Sequence, residues 1–527
     1  MRTNYRSLVL AAGILSILAG CTKKFESFNT DPTGISNKNL EIATLFIPLE
    51  QEIMYILDDG YQTGQNLNAD MYAGYAMPDQ TFGQALDNAN YVFINGWNTE
   101  AFSSIYTNLI GPIKNQLAST GVSSTNPDYW AIALIVEVEA IDRITDKFGP
   151  VPYSKVGASM VSVPYDSQQS IYQQMFLQLD TAVANLQTYI AANPGTKPLA
   201  AYDALFGGDY TQWLKFANSL RLRLAMHLVK IDPTTAQAQG EKALSANGGL
   251  LSAPSDVAAV QASQANGNDY WQITDSYGDN SMNASIGSYM VGYADPRLPV
   301  FFMADTDPGH TSDYTGIRIG GNIPPKPFYS GFSKYNYNTT FTQSAPETIM
   351  TAAEVWFLKA EAALRGWAGA GDAKTDYETG IQTSMAQYGL SGATYITDAT
   401  SKPADYVDYL NPANNSPALS SVTIKWDPAA SNELKLEKII TQKWLAMFPE
   451  GQEAWTEFRR TGYPRLFPVV VNNSGGTIDA QLQVRRLAYP QSEATQNPDA
   501  LKAGISLLGG PDNGGTRLWW DVAKPNF

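Results

Sequence analysis

Apolar residues recur along this chain at helical spacing in several separate stretches. In 128–148, Leu134, Val138, Ile141 and Phe148 fall on one face, and Gly149-Pro150 closes the run. The stretches 166–190 and 209–230 read as two further helices. In 351–365, Ala353, Phe357, Ala360 and Leu364 share a face, and Gly366 ends it. Asp372 can cap the next helix, in which Tyr377, Ile381 and Met385 recur every fourth residue up to Tyr388. A last pair, 432–447 and 452–460, is broken at Pro449-Glu450-Gly451. Helix pairs with small contact residues, such as Ala360 and Ala362, predict a mainly α fold. Tetratricopeptide-like helix pairs would form a superhelical scaffold. No strict 34-residue period is present, so the repeat is degenerate.

Between the helices lie long inserts rich in Gly, Pro, Asn, Ser and Tyr: 60–98, 247–346, 389–431 and 463–527. Such inserts on a rigid scaffold are where binding residues concentrate. Flat aromatic rings suit the C–H face of a sugar, and Asn or Asp suits its hydroxyl rim. The segment 266–283 carries both kinds, with Tyr270, Trp271, Tyr277, Asp279 and Asn280. The first insert offers Tyr72, Tyr75, Asp79, Phe82 and Tyr91. The second continues with Tyr314, Tyr329, Phe332, Tyr335 and Tyr337. We therefore expect ligand contact from Trp271, Tyr270, Tyr277, Asp279, Asn280, Tyr75 and Tyr91. The alternative for each ring is to pin its loop to the helices.

The N-terminus sets the compartment. Arg2 and Arg6 precede an apolar stretch, Leu8 to Ala19, which is too short to span a bilayer. It ends in Leu18-Ala19-Gly20-Cys21, which resembles the lipobox of bacterial lipoproteins, with Cys21 as the acylated residue. This divides the chain into a signal peptide at 1–20, a lipidated tether at 21–40 and a binding domain at 41–527. Two or more acyl chains hold a protein stably on a membrane. Lys23 and Lys24 stand where some surface lipoproteins carry acids, so the leaflet stays open.

Composition narrows the chemistry. The chain has 527 residues with a net charge of -15, which disfavours nucleic acid as a partner. Its single cysteine excludes an intramolecular disulfide and thiolate clusters. His227 and His310, the only two histidines, make zinc hydrolysis a poor fit and read as structural. No cofactor and no metal is expected. Asp305, Asp307 and Asp313, with Gly309, lack the terminal Glu of an EF-hand, and a polar turn is the plainer reading over calcium. Glu450, Glu453 and Glu457, beside Arg459 and Arg460, could form a glycosidase pair if they faced a cleft. One helical turn separates Glu453 from Glu457, which favours a packed hairpin of acids and arginines.

Several pieces in order carry a resemblance. Phe28-Asn29-Thr30-Asp31-Pro32 follows the lipobox. Trp97 and Tyr106 come next, then the run from Asp146 to Tyr153. The helix of Trp213, Asn218, Arg221, Arg223 and His227 follows, then Asp295-Pro296-Arg297-Leu298 and the stretch from Glu354 to Ala362. Gln442-Lys443-Trp444, Glu453-Ala454-Trp455 and Arg459-Arg460-Thr461-Gly462 form the strongest block. Tyr489-Pro490, with Glu493 and Asn497, and Trp519-Trp520-Asp521 complete the set. In that order they resemble the SusD/RagB family of outer-membrane nutrient-binding lipoproteins. The resemblance implies a tetratricopeptide-like fold and a loop-rich face that binds glycan or peptide. It also implies a SusC-like, TonB-dependent β-barrel on which the protein sits as a lid. The expected function is non-catalytic capture of an oligosaccharide or peptide outside the cell, from a lipid anchor in the outer membrane. A surface glycoside hydrolase is the rival class.

Overall fold

A computed structural model describes residues 42–56, 60–82, 86–158, 162–262, 267–321 and 323–527. The signal-peptide, Cys21 and tether expectations lie outside the described residues. The fold is mainly α, with tetratricopeptide-like helix pairs and long loops between them. In chain order the helices that matter here are α1 (Phe46–Glu52), α2 (Asn95–Ile105), α3 (Pro127–Phe148) and α4 (Gln168–Ala192). They continue with α5 (Tyr210–His227), α6 (Pro233–Leu244), α7 (Ala284–Gly292) and α8 (Ala352–Leu364). The last three are α9 (Ala373–Gln387), α10 (Asn432–Met447) and α11 (Gly451–Thr461).

The pairs α3/α4, α5/α6 and α8/α9 pack along their lengths, and α4 on α5, α5 on α8 and α8 on α10 join them into a stack. Local chemistry fixes the ends. The Asp372 carboxylate accepts the Thr375 amide at 2.9 Å, the cap expected from sequence, and Thr351 does the same for Glu354 at 3.2 Å. Gly149 takes φ +93°, which an L side chain rarely adopts, and turns the chain after Phe148. Between α10 and α11 the Glu450 side chain accepts the Gln452 amide at 2.9 Å and so starts α11. A Cβ on Gly451 would fall 2.3 Å from the Asp70 carboxylate, so only glycine fits that turn.

Periodicity placed α3 as a one-faced helix. Instead it is buried all round, charged residues included. The reason is its position, wrapped by α1, α2, α4, α5 and α11. Its buried charges are met by partners from the scaffold. Arg223 holds Glu354 with two bonds of 2.8 Å and lies 3.3 Å from Glu139, while Arg143 bonds Glu139 and Glu450. Lys443 bonds Glu453 at 3.0 Å, and Arg460 joins Glu361 and Glu457 at 2.6 and 2.7 Å. His227 lies between Tyr172 at 2.9 Å and Glu453 at 3.0 Å. Removing one member of such a network strands its partner at a cost of about 3–5 kcal/mol.

The glutamates of the last hairpin therefore belong to this network. All three are buried, and their partners are Arg143, Lys443, His227 and Arg460 as well as each other's helix. That is the packed hairpin favoured from the sequence, although Glu450 and Glu453 reach beyond the hairpin's own arginines. Trp444 and Trp455 are both core, at 2 % and 0 % exposure.

Two of the inserts are tied together by a short sheet. Strand β1 (Ala76–Met77), from the first insert, pairs antiparallel with β5 (Ser281–Met282), from the second. Between them in the chain come β2 (Val151–Pro152), β3 (Tyr165–Asp166) and β4 (Val257–Val260); β2 pairs with β3, and β4 with β6 (Glu347–Thr351). The first insert is less loop-like than its composition suggests, because Gln62–Asp70 forms a π-helix that is buried over most of its length. Residues 43–527 form one compact unit.

Candidate functional site

The β1/β5 pairing delivers two segments to one place on the surface. Just past β1 come Asp79 and Gln80, and just before β5 come Asp279 and Asn280. Lys326 reaches in from later in the second insert. Its ammonium donates to Asp279, donates to the Tyr277 carbonyl at 3.1 Å, and lies 3.6 Å from Asp79. Gln80 donates to the same Asp279 oxygen at 2.6 Å, and Gln62 of the π-helix reaches the other at 3.5 Å. Asp79 is fully buried and is held by Lys334 at 3.1 Å. Asp279 thus gathers two amides and one ammonium while keeping a little of its own surface open.

Aromatic rings border this polar group. Tyr277 is 43 % exposed, and its hydroxyl accepts a bond from Gln272 at 2.7 Å. Trp271 is half-buried six residues earlier, on a helical start capped by Asn268. Two residues beyond Gln80, Phe82 meets Trp97 edge to face at 5.5 Å, and both rings are half-buried. Phe328, two residues after Lys326, is 40 % exposed. The arrangement offers flat apolar surface beside a carboxylate, carboxamides and an ammonium. Those are the groups that grip a polyhydroxylated ring or an extended peptide.

The seven residues expected to touch ligand do not share one environment. Tyr277, Trp271 and Asp279 each keep some surface open. Tyr270 is 1 % exposed; its hydroxyl meets that of Tyr61 at 3.1 Å, and its ring packs on Tyr335 and Phe341. Burial pushes its hydroxyl well above the usual tyrosine range. Asn280 is buried between Thr274 and Asn66. Tyr75 stacks on Trp444 and donates to the Trp444 carbonyl, so it pins the first insert to α10. Tyr91 is buried against Tyr72. In this structure these four are buried and tie the loops to the scaffold, because the inserts also have to cover the helices. Tyr72, Tyr329, Phe332 and Tyr335 are likewise buried.

Sequence reasoning did not single out Gln62, Gln80, Lys326 or Lys334. A signal for Lys326 was present in its Pro-flanked run, Pro324-Pro325-Lys326-Pro327, which marks a rigid turn carrying one cation. The three aspartates weighed for calcium each have a partner within the protein. Asp305 accepts from Thr315 and Ser333, Asp307 from Tyr409, and Asp313 meets His310. Among the described residues, the acid and histidine groups close enough to share an ion are Asp142–Asp146–His227 and His227–Glu453–Glu457. Both sit inside the buried network, where arginine and lysine already face the carboxylates. Among the described residues, no helix is long and apolar enough to cross a membrane.

With this geometry in hand, similarity to known proteins is informative. The family model for Susd and RagB outer membrane lipoproteins matches residues 26–521. A chitin-binding SusD homologue from Flavobacterium johnsoniae superposes with a TM-score of 0.88 at 42% identity, covering 93% of this chain and 100% of the other. A SusD homologue from Bacteroides vulgatus gives 0.87 at 38% identity, with 92% and 98% covered. One from Bacteroides thetaiotaomicron gives 0.84 at 33% identity, with 92% and 99% covered. Among curated proteins, none matches. Profile, fold and identity agree over nearly the whole length, and the chain belongs to the SusD/RagB family of outer-membrane lipoproteins.

Proposed function

We propose that this protein is a non-catalytic lipoprotein that captures an extracellular oligosaccharide and passes it to a SusC-like, TonB-dependent β-barrel. The observation that carries the reading is the exposed Tyr277 ring beside Asp279, with Lys326, Gln80 and Gln62 converging on that carboxylate. A sugar places its C–H face on such a ring and its hydroxyls on such a rim. The 42% identity to a homologue described as chitin-binding supports a carbohydrate, with N-acetylated glucosamine oligomers as the first ligands to try. Membership of an outer-membrane lipoprotein family supports anchoring through Cys21 and placement on the outer membrane. The barrel partner and a cell-exterior orientation are parts of the same proposal.

The non-catalytic reading rests on where the carboxylates are. Glu450, Glu453 and Glu457 are sealed in the scaffold with cationic partners, and Asp79 is buried against Lys334. The deciding experiment is calorimetric titration with chito-oligosaccharides, other neutral oligosaccharides and peptides of matching length, with product analysis of each mixture. Saccharide binding without turnover is expected. Binding of peptides alone would move the ligand to the peptide class, and turnover would overturn the non-catalytic reading.

A further inference from the structure

A second concave region lies between the second insert and the third, and its lining includes none of Tyr277, Asp279, Lys326, Gln80 and Gln62. Its volume is about 380 Å³, within the range of sites that hold small ligands. The floor is made of small buried groups from α7, among them Ala284 and Gly287, and the exposed Val291 lines the same side. One wall is a stacked pair: the rings of His310 and Tyr409 lie 3.7 Å apart and within 5° of parallel. Asp313, Tyr314 and Asp405 stand at the rim.

The stacked wall is held before any ligand arrives. His310 bonds Asp313 at 2.8 Å, and Tyr409 donates to Asp307 at 3.1 Å. Behind Tyr409 a row of rings runs through Phe332 and Tyr329 to Phe328, each pair 4.8 Å apart, so the wall is braced back to the edge of the Tyr277 face. Tyr409 covers one side of the imidazole, yet the His310 side chain is still 35% exposed, so part of the ring stays reachable by a ligand. Val407, at 60% exposure, adds an apolar lip.

Charge narrows the ligand. No lysine or arginine lines the cleft, while Asp313 and Asp405 do, so an anion is disfavoured. An apolar floor, a flat wall and a rim of carboxylate and phenol acceptors suit a ring with one C–H face and several O–H or N–H donors.

We propose that this cleft is a second saccharide subsite that takes one neutral pyranose unit. It lets the protein hold a glycan at two places. The proposal rests on the carbohydrate reading above, and the test separates the two. The probe is N,N′-diacetylchitobiose, a disaccharide compact enough to occupy each site by itself, titrated into wild type, Asp279→Ala, His310→Ala and Val407→Arg. Val407 is exposed, so the arginine blocks the cleft without disturbing the core; melting curves check this for each variant. Wild type is expected to bind two disaccharides per chain. His310→Ala should weaken one of the two events about tenfold, the worth of one ring contact, and Val407→Arg should abolish it. Asp279→Ala should weaken only the other. A single binding event lost in Asp279→Ala and unchanged in both cleft variants overturns the subsite and leaves the carbohydrate reading standing. No binding of this or any other saccharide overturns both.

Discussion

The Lys326 ammonium donates to the Asp279 carboxylate and stands 3.6 Å from Asp79, joining the two inserts by charge where β1 and β5 join them by backbone. A partly exposed ion pair of this kind contributes at most about 1 kcal/mol to folding. Hydrogen bonds from a charged group to a ligand are worth about 1.5–3 kcal/mol. Asp279→Ala should therefore weaken saccharide binding about 10- to 100-fold. Melting should move by less than about 3 °C. Calorimetry and thermal unfolding on the same sample check both; a large fall in melting with unchanged affinity would make Asp279 a structural residue.

The rings of half-buried Trp271 and exposed Tyr277 are expected to behave as anchors. Trp271→Ala should reduce affinity by well over tenfold, since truncating an aromatic anchor costs ~2 kcal/mol or more. Tyr277→Ala should act in the same direction, and helix content should not change in either. Equal affinities for wild type and Trp271→Ala would remove that ring from the face.

Trp444 has a different role. It is 2 % exposed, stacks with Tyr75, meets Tyr289 edge to face, and donates its indole N–H to the Ala73 carbonyl at 2.8 Å. Trp444→Ala should cost about 3–5 kcal/mol of stability, read by urea unfolding. Loss of binding with unchanged unfolding would contradict a core role.

The buried network gives stability a pH dependence. Burial alone would lower the His227 pKa, but Glu453, Asp146 and Asp142 outweigh it and raise the value to about 9. A histidine raised in the folded state contributes its full stabilisation below its unfolded pKa of ~6.5 and loses it as pH rises through the folded value. That contribution is about 3 kcal/mol by linkage. Burial also raises Asp70 to about 7 and Glu347 to about 8, so each of these acids lowers stability as pH rises from the unfolded carboxylate range of ~4 to its folded value. Comparison of wild type with His227→Gln isolates the histidine. The stability difference should be largest near pH 6 and shrink toward pH 9 to 10. A difference constant across that window would contradict a charged His227.

Anchoring is tested by Cys21→Ala, which should move the protein from the membrane pellet to the soluble fraction. Pelleting of the mutant in high salt, without a barrel partner, would argue against a lipid tether.

Much of the scaffold was legible in the sequence, because apolar spacing, caps and stop residues are local signals. Helices α8 and α9 show this: Phe357, Tyr377, Ile381 and Met385 are all buried as their period required. Helix α3 was legible in extent but not in environment, since its sequence does not reveal that five helices would surround it. The ligand face was legible only in part. Composition marks which inserts are aromatic, but Tyr270 and Tyr277 differ by seven positions and by 1 % against 43 % exposure. Only their surroundings in the fold separate them: Tyr270 meets Tyr61, 209 positions away, while Tyr277 meets nearby Gln272 and open surface. Gln80 was invisible for the same reason, and the Pro-flanked run at Lys326 marks a turn but not its partners, which exist only once distant segments meet.

The bond from Gln80 to Asp279 spans 199 positions of the chain. Closing so long a loop costs entropy before any contact repays it, and pairings of this kind form late in folding. The scaffold helices between those positions can pair locally first, whereas the ligand face waits for Lys326 to be in place. On the proposed function, ligand affinity is therefore a stringent gauge of complete folding: a chain with its helices formed and its inserts undocked would look native by helix content and fail to bind.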